Sequence, residues 1–237
     1  MATRSSGPAR PRVLIIGNSH TKAIAAALDD VEHARFEVVN IATYFDPVNG
    51  KNKVLPRSIV EMFQPKRIYC TFGGSEHSVF ALMEAPVRFD FMTPEDPSVE
   101  PGRKLVPYAL VRATLERAMK NAMNNTRELR ALYPDCRITH ICTPPPFREV
   151  APNAHLPLIF QDNLHLGVSP GSVRRKLYRM HSDIARRTCR TMGVGFLGVP
   201  DGCTDEDGYL LDRYCGRDPT HANEHYGKLV LRQILGT

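Results

Sequence analysis

The sequence lacks the long apolar runs that would carry a chain into or across a membrane. Its longest candidate, Val13 to Ile16, ends at Gly17 and falls far short of the roughly 20 residues that span a bilayer. The N-terminal segment MATRSSGPARPR contains arginines but no apolar stretch of the kind that a secretory signal needs. We therefore expect a soluble protein in the cytoplasm, with no membrane partner.

Closely spaced cysteines are also absent. The six cysteines form no C-x-x-C pair and no tight Cys/His group; they are Cys70, Cys136, Cys142, Cys189, Cys203 and Cys215. Such spacing indicates neither a zinc site nor a dense disulfide framework. We expect reduced thiols, no metal and no organic cofactor.

The positive charge lacks the features of a nucleic-acid site. Arg4, Arg10 and Arg12 supply three of the +6 formal charges and fall in or beside residues 1–11, which we expect to be a disordered basic tail. A second group recurs along one predicted helix: Arg174, Arg175, Lys176, Arg179, Arg186, Arg187 and Arg190. With no aromatic interleaving or known binding motif, this group is more typical of a solvated face than of a nucleic-acid groove, and we expect no nucleic-acid partner.

Short apolar runs alternate with longer segments of helical spacing, which is typical of a parallel sheet flanked by helices. The length of 237 residues, 42% hydrophobic and 24% charged, suits a single domain over residues 12–237. Predicted strands are Arg12–Ile16, Phe36–Ile41, Arg67–Phe72, Cys136–Cys142 and Val194–Val199. Predicted helices lie near His20–Asp30, Leu55–Gln64, Tyr108–Tyr133, Gly171–Met192 and Ala222–Leu235.

Proline is concentrated in two segments, with five of the 19 prolines from Pro86 to Pro107 and six from Pro144 to Pro170. These segments are predicted to be two long loops. Loops of this length often serve as lids or binding loops, and the alternative is a pair of ordered surface excursions without a function.

Ser19 lies where the first predicted strand meets an alanine-rich helix, in the run Gly17-Asn18-Ser19-His20. A serine at this turn reaches the C-terminal edge of the sheet, where open parallel sheets bind their ligands. The alternative interpretation is an ordinary helix N-cap.

Asp218 and His221 stand three residues apart in the loop before the last predicted helix. A carboxylate at this spacing can accept the proton of one imidazole nitrogen and leave the other nitrogen to act as general base for a serine. A serine nucleophile needs such a base. The alternative is a helix cap at Asp218 and a surface histidine at His221.

These blocks together resemble the SGNH (GDSL-like) hydrolase superfamily over nearly the whole chain. The resemblance implies a flavodoxin-like three-layer α/β/α fold with a parallel sheet of about five strands, and a catalytic triad of Ser19, His221 and Asp218. Gly73-Gly74-Ser75-Glu76 falls where the family has Gly-x-Asn-Asp, and Ala42 falls where it has a glycine that lines the oxyanion hole. The oxyanion donors implied are therefore the Ser19 and Ala42 amides together with Ser75.

The chain departs from the family at two of these positions. Ala42 keeps the backbone N–H of the glycine that it replaces. Ser75 has a shorter side chain than asparagine and would reach an oxyanion only through water, and the alternative is that it caps the following helix. We expect substrate contacts from Gly74 and Asn163. His20 and His77 are expected to be helix-start or wall residues rather than bases.

The resemblance implies an esterase acting on a small-molecule or carbohydrate-linked ester. Two alternatives stay open: an acyltransferase that uses the same serine, and a binding module that keeps the fold with little turnover. The identity of the ester and the oligomeric state are not specified by the sequence.

Overall fold

The computed structural model describes residues 13–29, 35–41, 63–151 and 154–236 of the chain. Its centre is a five-stranded parallel sheet, and a separate parallel pair is formed by two short strands. The strands in chain order are β1 (Val13–Gly17), β2 (Phe36–Asn40), β3 (Arg67–Thr71), β4 (Phe89–Asp90), β5 (Lys104–Leu105), β6 (Arg137–Ile141) and β7 (Gly195–Leu197).

The main sheet has the spatial order β2-β1-β3-β6-β7. The chain passes from β1 to β2 on one side and then returns to β3 on the other side of β1. The order therefore reverses between β1 and β3, and doubly wound sheets bind their ligands at the carboxyl ends of the strands at such a point. This topology brings the residues after β1 and β3 to one edge.

Helices cover both faces of the sheet. They are α1 (Thr21–Ala25), α2 (Glu76–Ala81), α3 (Tyr108–Leu132), α4 (Gly171–Thr191) and α5 (Glu224–Leu235). Side chains of β1 alternate between the faces: Val13 and Ile15 pack with α1 and α5, whereas Leu14 and Ile16 pack with α3 and α4. None of the helices in the described ranges is long and apolar enough to cross a bilayer.

The structure changes the predicted boundaries at the ends of several elements. The helix predicted near His20–Asp30 is α-helical only over Thr21–Ala25, because the next amides, of Ala27 and Leu28, bond to carbonyls three residues back. Most of the helix predicted at Leu55–Gln64 lies outside the described residues, as does the basic tail of residues 1–11. The single-domain assignment for residues 12–237 stays a prediction.

The first proline-rich segment is an ordered part of the structure. It contains β4 and β5, and the buried ammonium of Lys176 on α4 lies 2.6 Å from Asp90 in β4. A second buried ion pair joins Arg103 to Glu84. These contacts support the alternative of an ordered excursion over that of a lid.

The second proline-rich segment also contains regular structure, a 3₁₀ helix over Leu158–Leu166. Phe160 of this helix is buried against Leu82 and Met83, next to α2. Both segments were predicted as long loops, and most of their described residues do have irregular backbone, but the two short strands and the 3₁₀ helix within them were not predicted because the sequence signal was their proline content.

The basic residues of α4 divide into internal and external groups. Arg174 is buried and donates to the carbonyls of Ser169, Phe147 and Arg148. Lys176 donates to the carbonyls of Phe91 and Ser98 in addition to its pair with Asp90. The interpretation of all seven cations as a solvated face is therefore wrong for these two, which tie the proline-rich segments to the helix.

Candidate active site

Ser19, His221 and Asp218 form a hydrogen-bonded chain at the carboxyl end of β1. The Ser19 Oγ lies 2.7 Å from His221 Nε2, and His221 Nδ1 lies 2.9 Å from each oxygen of Asp218. Because a carboxylate can only accept, Nδ1 carries the proton, and Nε2 is left to accept from the Ser19 hydroxyl. The side chains are therefore arranged for proton transfer from serine to histidine.

The alternative interpretations of these three residues do not fit the geometry. The N-cap of α1 is His20 rather than Ser19, and no side-chain capping bond is made there. The N-cap of α5 is Asn223, whose side chain accepts from the amides of His225 and Tyr226. Asp218 and His221 therefore lie in the loop that precedes this cap and are directed at each other.

Thr220 supports the Asp218 carboxylate, a role that was not predicted from the sequence. Its amide donates to Asp218 Oδ1 at 2.9 Å and its hydroxyl donates to the same oxygen at 2.5 Å. Burial alone would raise the pKa of Asp218, but the hydrogen bonds from His221 and Thr220 outweigh it and lower the pKa to about 2. The position of Thr220, two residues after an aspartate, is the signal of an Asx turn.

Gly73 and Gly74 form a turn directly after β3. Both have positive φ, 71° and 103°, which only glycine adopts readily. The Gly73 amide donates to Asn18 Oδ1 at 3.1 Å, so the Asn18 side chain joins the ends of β1 and β3. The adjacent Ser19 amide has no acceptor among the described residues, and it is free to face a ligand.

Gly74 lines the site, but its amide is not available as a donor to a substrate. Its amide donates to Glu76 Oε2 at 2.8 Å and its carbonyl accepts from the Thr143 hydroxyl at 2.9 Å. Its predicted contact with substrate could therefore come from its Cα or from the second lone pair of its carbonyl, and stays a prediction. Ser75, the next residue, is half-buried at the N-cap of α2, makes no capping bond and does not line the cavity.

His20 lines the cavity wall and His77 lies in the first turn of α2, in keeping with the expectation of wall or helix-start residues. His20 is buried beside the triad with its ring 5.1 Å from that of His221, and burial together with His221 lowers its pKa to about 3. His77 is buried in α2, where burial holds its pKa well below the usual value. Neither histidine contacts Ser19 in a way that would allow it to serve as base.

Two other predicted site residues are not brought to the triad. Asn163 is exposed on the 3₁₀ helix and does not line the cavity next to Ser19, so its predicted contact with substrate has no support in the structure. Its position in the second proline-rich segment had suggested this contact, but Asn163 is exposed on the 3₁₀ helix of that segment. Ala42 lies outside the described residues, and its role as an oxyanion donor stays a prediction.

The cavity beside Ser19 has a volume of about 350 Å³. Its inner wall is apolar, with Ile24, Ile141 and Val230, while Lys22 and Arg217 lie at its exposed side. Among the described residues, no three His, Cys, Asp or Glu side chains are grouped closely enough to hold a metal ion. The space suits a small organic group next to the serine.

No protein-family profile and no curated protein sequence matches the chain. Solved structures do. A protein named as a candidate platelet activating factor from Streptococcus pneumoniae superimposes with a TM-score of 0.54 at 13% identity, over 98% of this chain and 86% of that one. A candidate acylhydrolase from Bacteroides fragilis gives 0.52 at 11% identity, over 97% and 89%. The periplasmic domain of a lipopolysaccharide acetyltransferase from Salmonella Paratyphi A gives 0.50 at 11% identity, over 97% and 84%.

At these identities the likenesses show the fold. The predicted α/β class and three-layer architecture with a five-stranded parallel sheet are confirmed. The fold implied by the resemblance to SGNH (GDSL-like) hydrolases is the fold observed. The chain therefore shares the fold of these solved structures, and its serine, histidine and aspartate lie at the edge of the sheet where doubly wound folds bind ligands.

Proposed function

We propose that the protein is a serine-dependent ester hydrolase of the SGNH type, acting on a small-molecule or carbohydrate-linked ester. The observation that carries the proposal is the continuous hydrogen-bonded chain from Ser19 Oγ through His221 to Asp218. A serine hydroxyl is a poor nucleophile at neutral pH unless a positioned base removes its proton. In this hydrogen-bonded arrangement His221 is the base, and Asp218 is the carboxylate that holds it in the required tautomer.

In the first half of the proposed reaction, Ser19 Oγ bonds to the ester carbonyl carbon while its proton passes to His221 Nε2. The carbonyl electron pair moves onto oxygen, and Asp218 stabilises the imidazolium. Collapse of this intermediate breaks the bond to the alcohol oxygen, which takes the proton from Nε2 as it leaves. Water then attacks the acyl-serine with His221 again as base, releasing the carboxylic acid and restoring Ser19.

The negative charge on the carbonyl oxygen needs hydrogen-bond donors. We propose the free Ser19 amide, the Ala42 amide and the Ser75 hydroxyl, the last acting through a water molecule because Ser75 is set back from the cavity. One such donor is typically worth about 10²–10³ in turnover. The cavity of about 350 Å³ would hold the small acyl or alcohol group.

A serine-directed phosphonate tests the nucleophile. The wild-type protein is expected to be labelled at Ser19, with labelling lost in Ser19→Ala and in His221→Ala while thermal unfolding stays nearly unchanged. Ser98→Ala and His225→Ala are matched controls, since both residues are exposed and neither lines the cavity. Undiminished labelling of Ser19→Ala would overturn the assignment.

Acyl transfer is the second candidate, favoured by the fold shared with the acetyltransferase domain. The acyl-serine would be the same, and an alcohol rather than water would accept the acyl group. Incubation with short acyl esters, with and without alcohol acceptors, separates the two by the ratio of new ester to free acid. A binding module would react weakly with the phosphonate and would form neither the new ester nor the free acid.

A further inference from the structure

The glycine turn after β3 is held by hydrogen bonds from three directions. Asn18 at the end of β1 accepts from the Gly73 amide, Thr143 after β6 donates to the Gly74 carbonyl, and Glu76 accepts from the Gly74 amide. A Cβ on Gly73 would lie 2.5 Å from Glu76 Oε1 and 2.6 Å from the Ala122 side chain on α3. The turn therefore has little room to move, and Ser75 follows directly from it.

Glu76 receives a second hydrogen bond from the far side of the turn. Its Oε2, which accepts from the Gly74 amide at 2.8 Å, also lies 3.1 Å from Nε2 of His181 on α4. His181 is buried, and its ring packs 5.1 Å from that of His77. Burial would raise the pKa of Glu76, but the hydrogen bonds from His181 and from the Gly74 amide outweigh it and lower the pKa to about 2, so the carboxylate is ionised.

An ionised carboxylate in a mostly buried position is costly unless it is paired and hydrogen-bonded, as Glu76 is by the Gly74 amide and by His181. Here its two hydrogen bonds connect α4, none of whose residues lines the cavity beside Ser19, to the turn that lies at that cavity. Because the Gly74 amide is taken by Glu76, it is turned away from any ligand. The donor that this turn can supply is then Ser75.

We infer that Glu76 and His181 are positioning residues that fix the Gly73–Gly74 turn and thereby place Ser75 for its part in stabilising the oxyanion. The inference rests on the proposed hydrolase function. It assigns to α4 a role in turnover that is exerted through two hydrogen bonds. Neither residue touches the substrate or the reacting atoms.

The first test compares variants of Glu76 under steady-state conditions, with rates expressed per phosphonate-titrated site. Glu76→Ala removes the acceptor for the Gly74 amide and is expected to lower kcat by about 10- to 100-fold, with KM within about twofold, because the loss is confined to the transition state. Glu76→Gln keeps an oxygen at this position and should restore most of the activity. Glu206→Ala, at an exposed glutamate remote from the site, is the matched control and should behave as wild type.

The second test asks whether the effect passes through Ser75. In a Ser75→Ala background, Glu76→Ala should lower kcat by no more than about twofold further, because the group that it positions is already gone. A merely structural role predicts the same fold loss in both backgrounds. Equal losses, or no loss from Glu76→Ala in the wild-type background, would overturn the inference.

The His181 variants give an independent route if Glu76→Ala fails to fold. His181→Leu removes the donor to Glu76, and His181→Gln supplies an amide in its place, so kcat should fall in the first and recover in the second. Equal kcat in the two would overturn the inference. Phosphonate labelling is read in every variant: loss of Ser19 dependence contradicts the proposed function, whereas intact Ser19 labelling with unaltered kcat contradicts only the role of Glu76 and His181.

Discussion

Asp218 holds the tautomer of His221 because both of its oxygens lie 2.9 Å from Nδ1. In Asp218→Asn the side-chain amide can donate to Nδ1, which places the imidazole proton on Nε2 and leaves nothing to accept from Ser19. We expect kcat to fall by up to about 10⁴-fold while the melting temperature changes little. Steady-state kinetics on a short acyl ester measure this, with the exposed Asp212→Asn as control. A kcat equal to that of the wild type would show that Asp218 does not govern the histidine.

Substitution of Thr220, which supports the Asp218 carboxylate, is expected to lower kcat less than substitution of Asp218 itself. Thr220→Val keeps the hydrogen bond from the backbone N–H of this residue to Asp218 but loses the hydroxyl that donates to the carboxylate at 2.5 Å. The carboxylate keeps His221 as a partner, so we expect a loss in kcat of about 10-fold, in line with one hydrogen bond to a charged group. Thr220→Ser retains the hydroxyl and should restore the rate. A loss as large in Thr220→Ser would mean that the methyl packing, rather than the hydrogen bond, matters.

Ser75 is the residue at which the chain departs most from the SGNH pattern. In Ser75→Asn a longer carboxamide would reach the oxyanion directly, and we expect turnover to rise by at most about 10²-fold, limited by crowding against Glu76 and His77. Ser75→Ala should lower turnover with little change in KM, since a transition-state contact is lost. Initial rates at saturating ester measure both. A large loss in Ser75→Asn with wild-type rates in Ser75→Ala would indicate a site shaped for volume, and would favour the transferase and binding-module interpretations.

The pairing of Ser19 with Asp218 and His221 could be predicted because each lies at an element boundary with a distinctive motif. Glu76, Thr143 and His181 could not be predicted in this way. Their partners are 2, 69 and 105 residues distant in sequence, and the two long-range contacts depend on how β6 and α4 pack against the turn. Periodicity indicates which face of a helix is buried, but it does not indicate which polar group on that face meets a partner.

At the scale of elements, the strands of the main sheet were predicted within about two residues of their ends, because short apolar runs bounded by polar residues have few alternatives. The short strands, the 3₁₀ helix and the buried contacts of the proline-rich segments were not predicted, since proline content indicates irregular backbone but not which residues anchor it. Lys176 is the clearest case: a lysine in a basic run is 1% exposed and paired with an aspartate that is fully buried. Burial of a lysine is rare without such a partner.

The pair of Lys176 and Asp90 predicts how the first proline-rich segment contributes to stability. Lys176→Met removes the cation and leaves the buried Asp90 carboxylate without it, at an expected cost of about 3–5 kcal/mol in the free energy of unfolding. Adding Asp90→Asn removes the stranded charge and should recover part of this loss. Urea unfolding measures both variants.

The same variants of Lys176 and Asp90 test whether the first proline-rich segment is a fixed part of the fold or a lid that closes over the substrate. Neither Lys176 nor Asp90 lines the cavity beside Ser19, so kcat and KM per titrated site should stay at wild-type values in the folded fraction. A segment that closed over the substrate would instead change KM and kcat together when its anchor is removed. Such a change would contradict the interpretation of this segment as an ordered excursion.

At the scale of the whole molecule, three buried histidines and two partly buried carboxylates make the stability depend on pH. The pKa of His20 is lowered to about 3 and that of His140 to about 4, mainly by burial, and that of His77 lies well below 6.5. The unfolded chain therefore binds more protons than the folded one below about pH 6.5. Asp218 and Glu76, each with a pKa of about 2, act in the same direction below the ordinary values of 3.8 and 4.5.

Because the excess of bound protons is in the unfolded state, the free energy of unfolding must rise with pH through this range and fall on acidification. Each neutral buried histidine contributes a slope of at most about 1.4 kcal/mol per pH unit between about pH 4 and about pH 6.5. His140→Phe keeps a ring to stack on Phe196 and removes one titrating group, so it should reduce the slope by about that amount. Urea unfolding at about pH 5, pH 6 and pH 7.5 measures the slopes. Tyr178→Phe is the control, because it perturbs the core next to His77 without removing a group that titrates in this range, and it should lower the stability equally at each pH. Identical slopes in wild type and His140→Phe would mean that His140 is not buried in its neutral form.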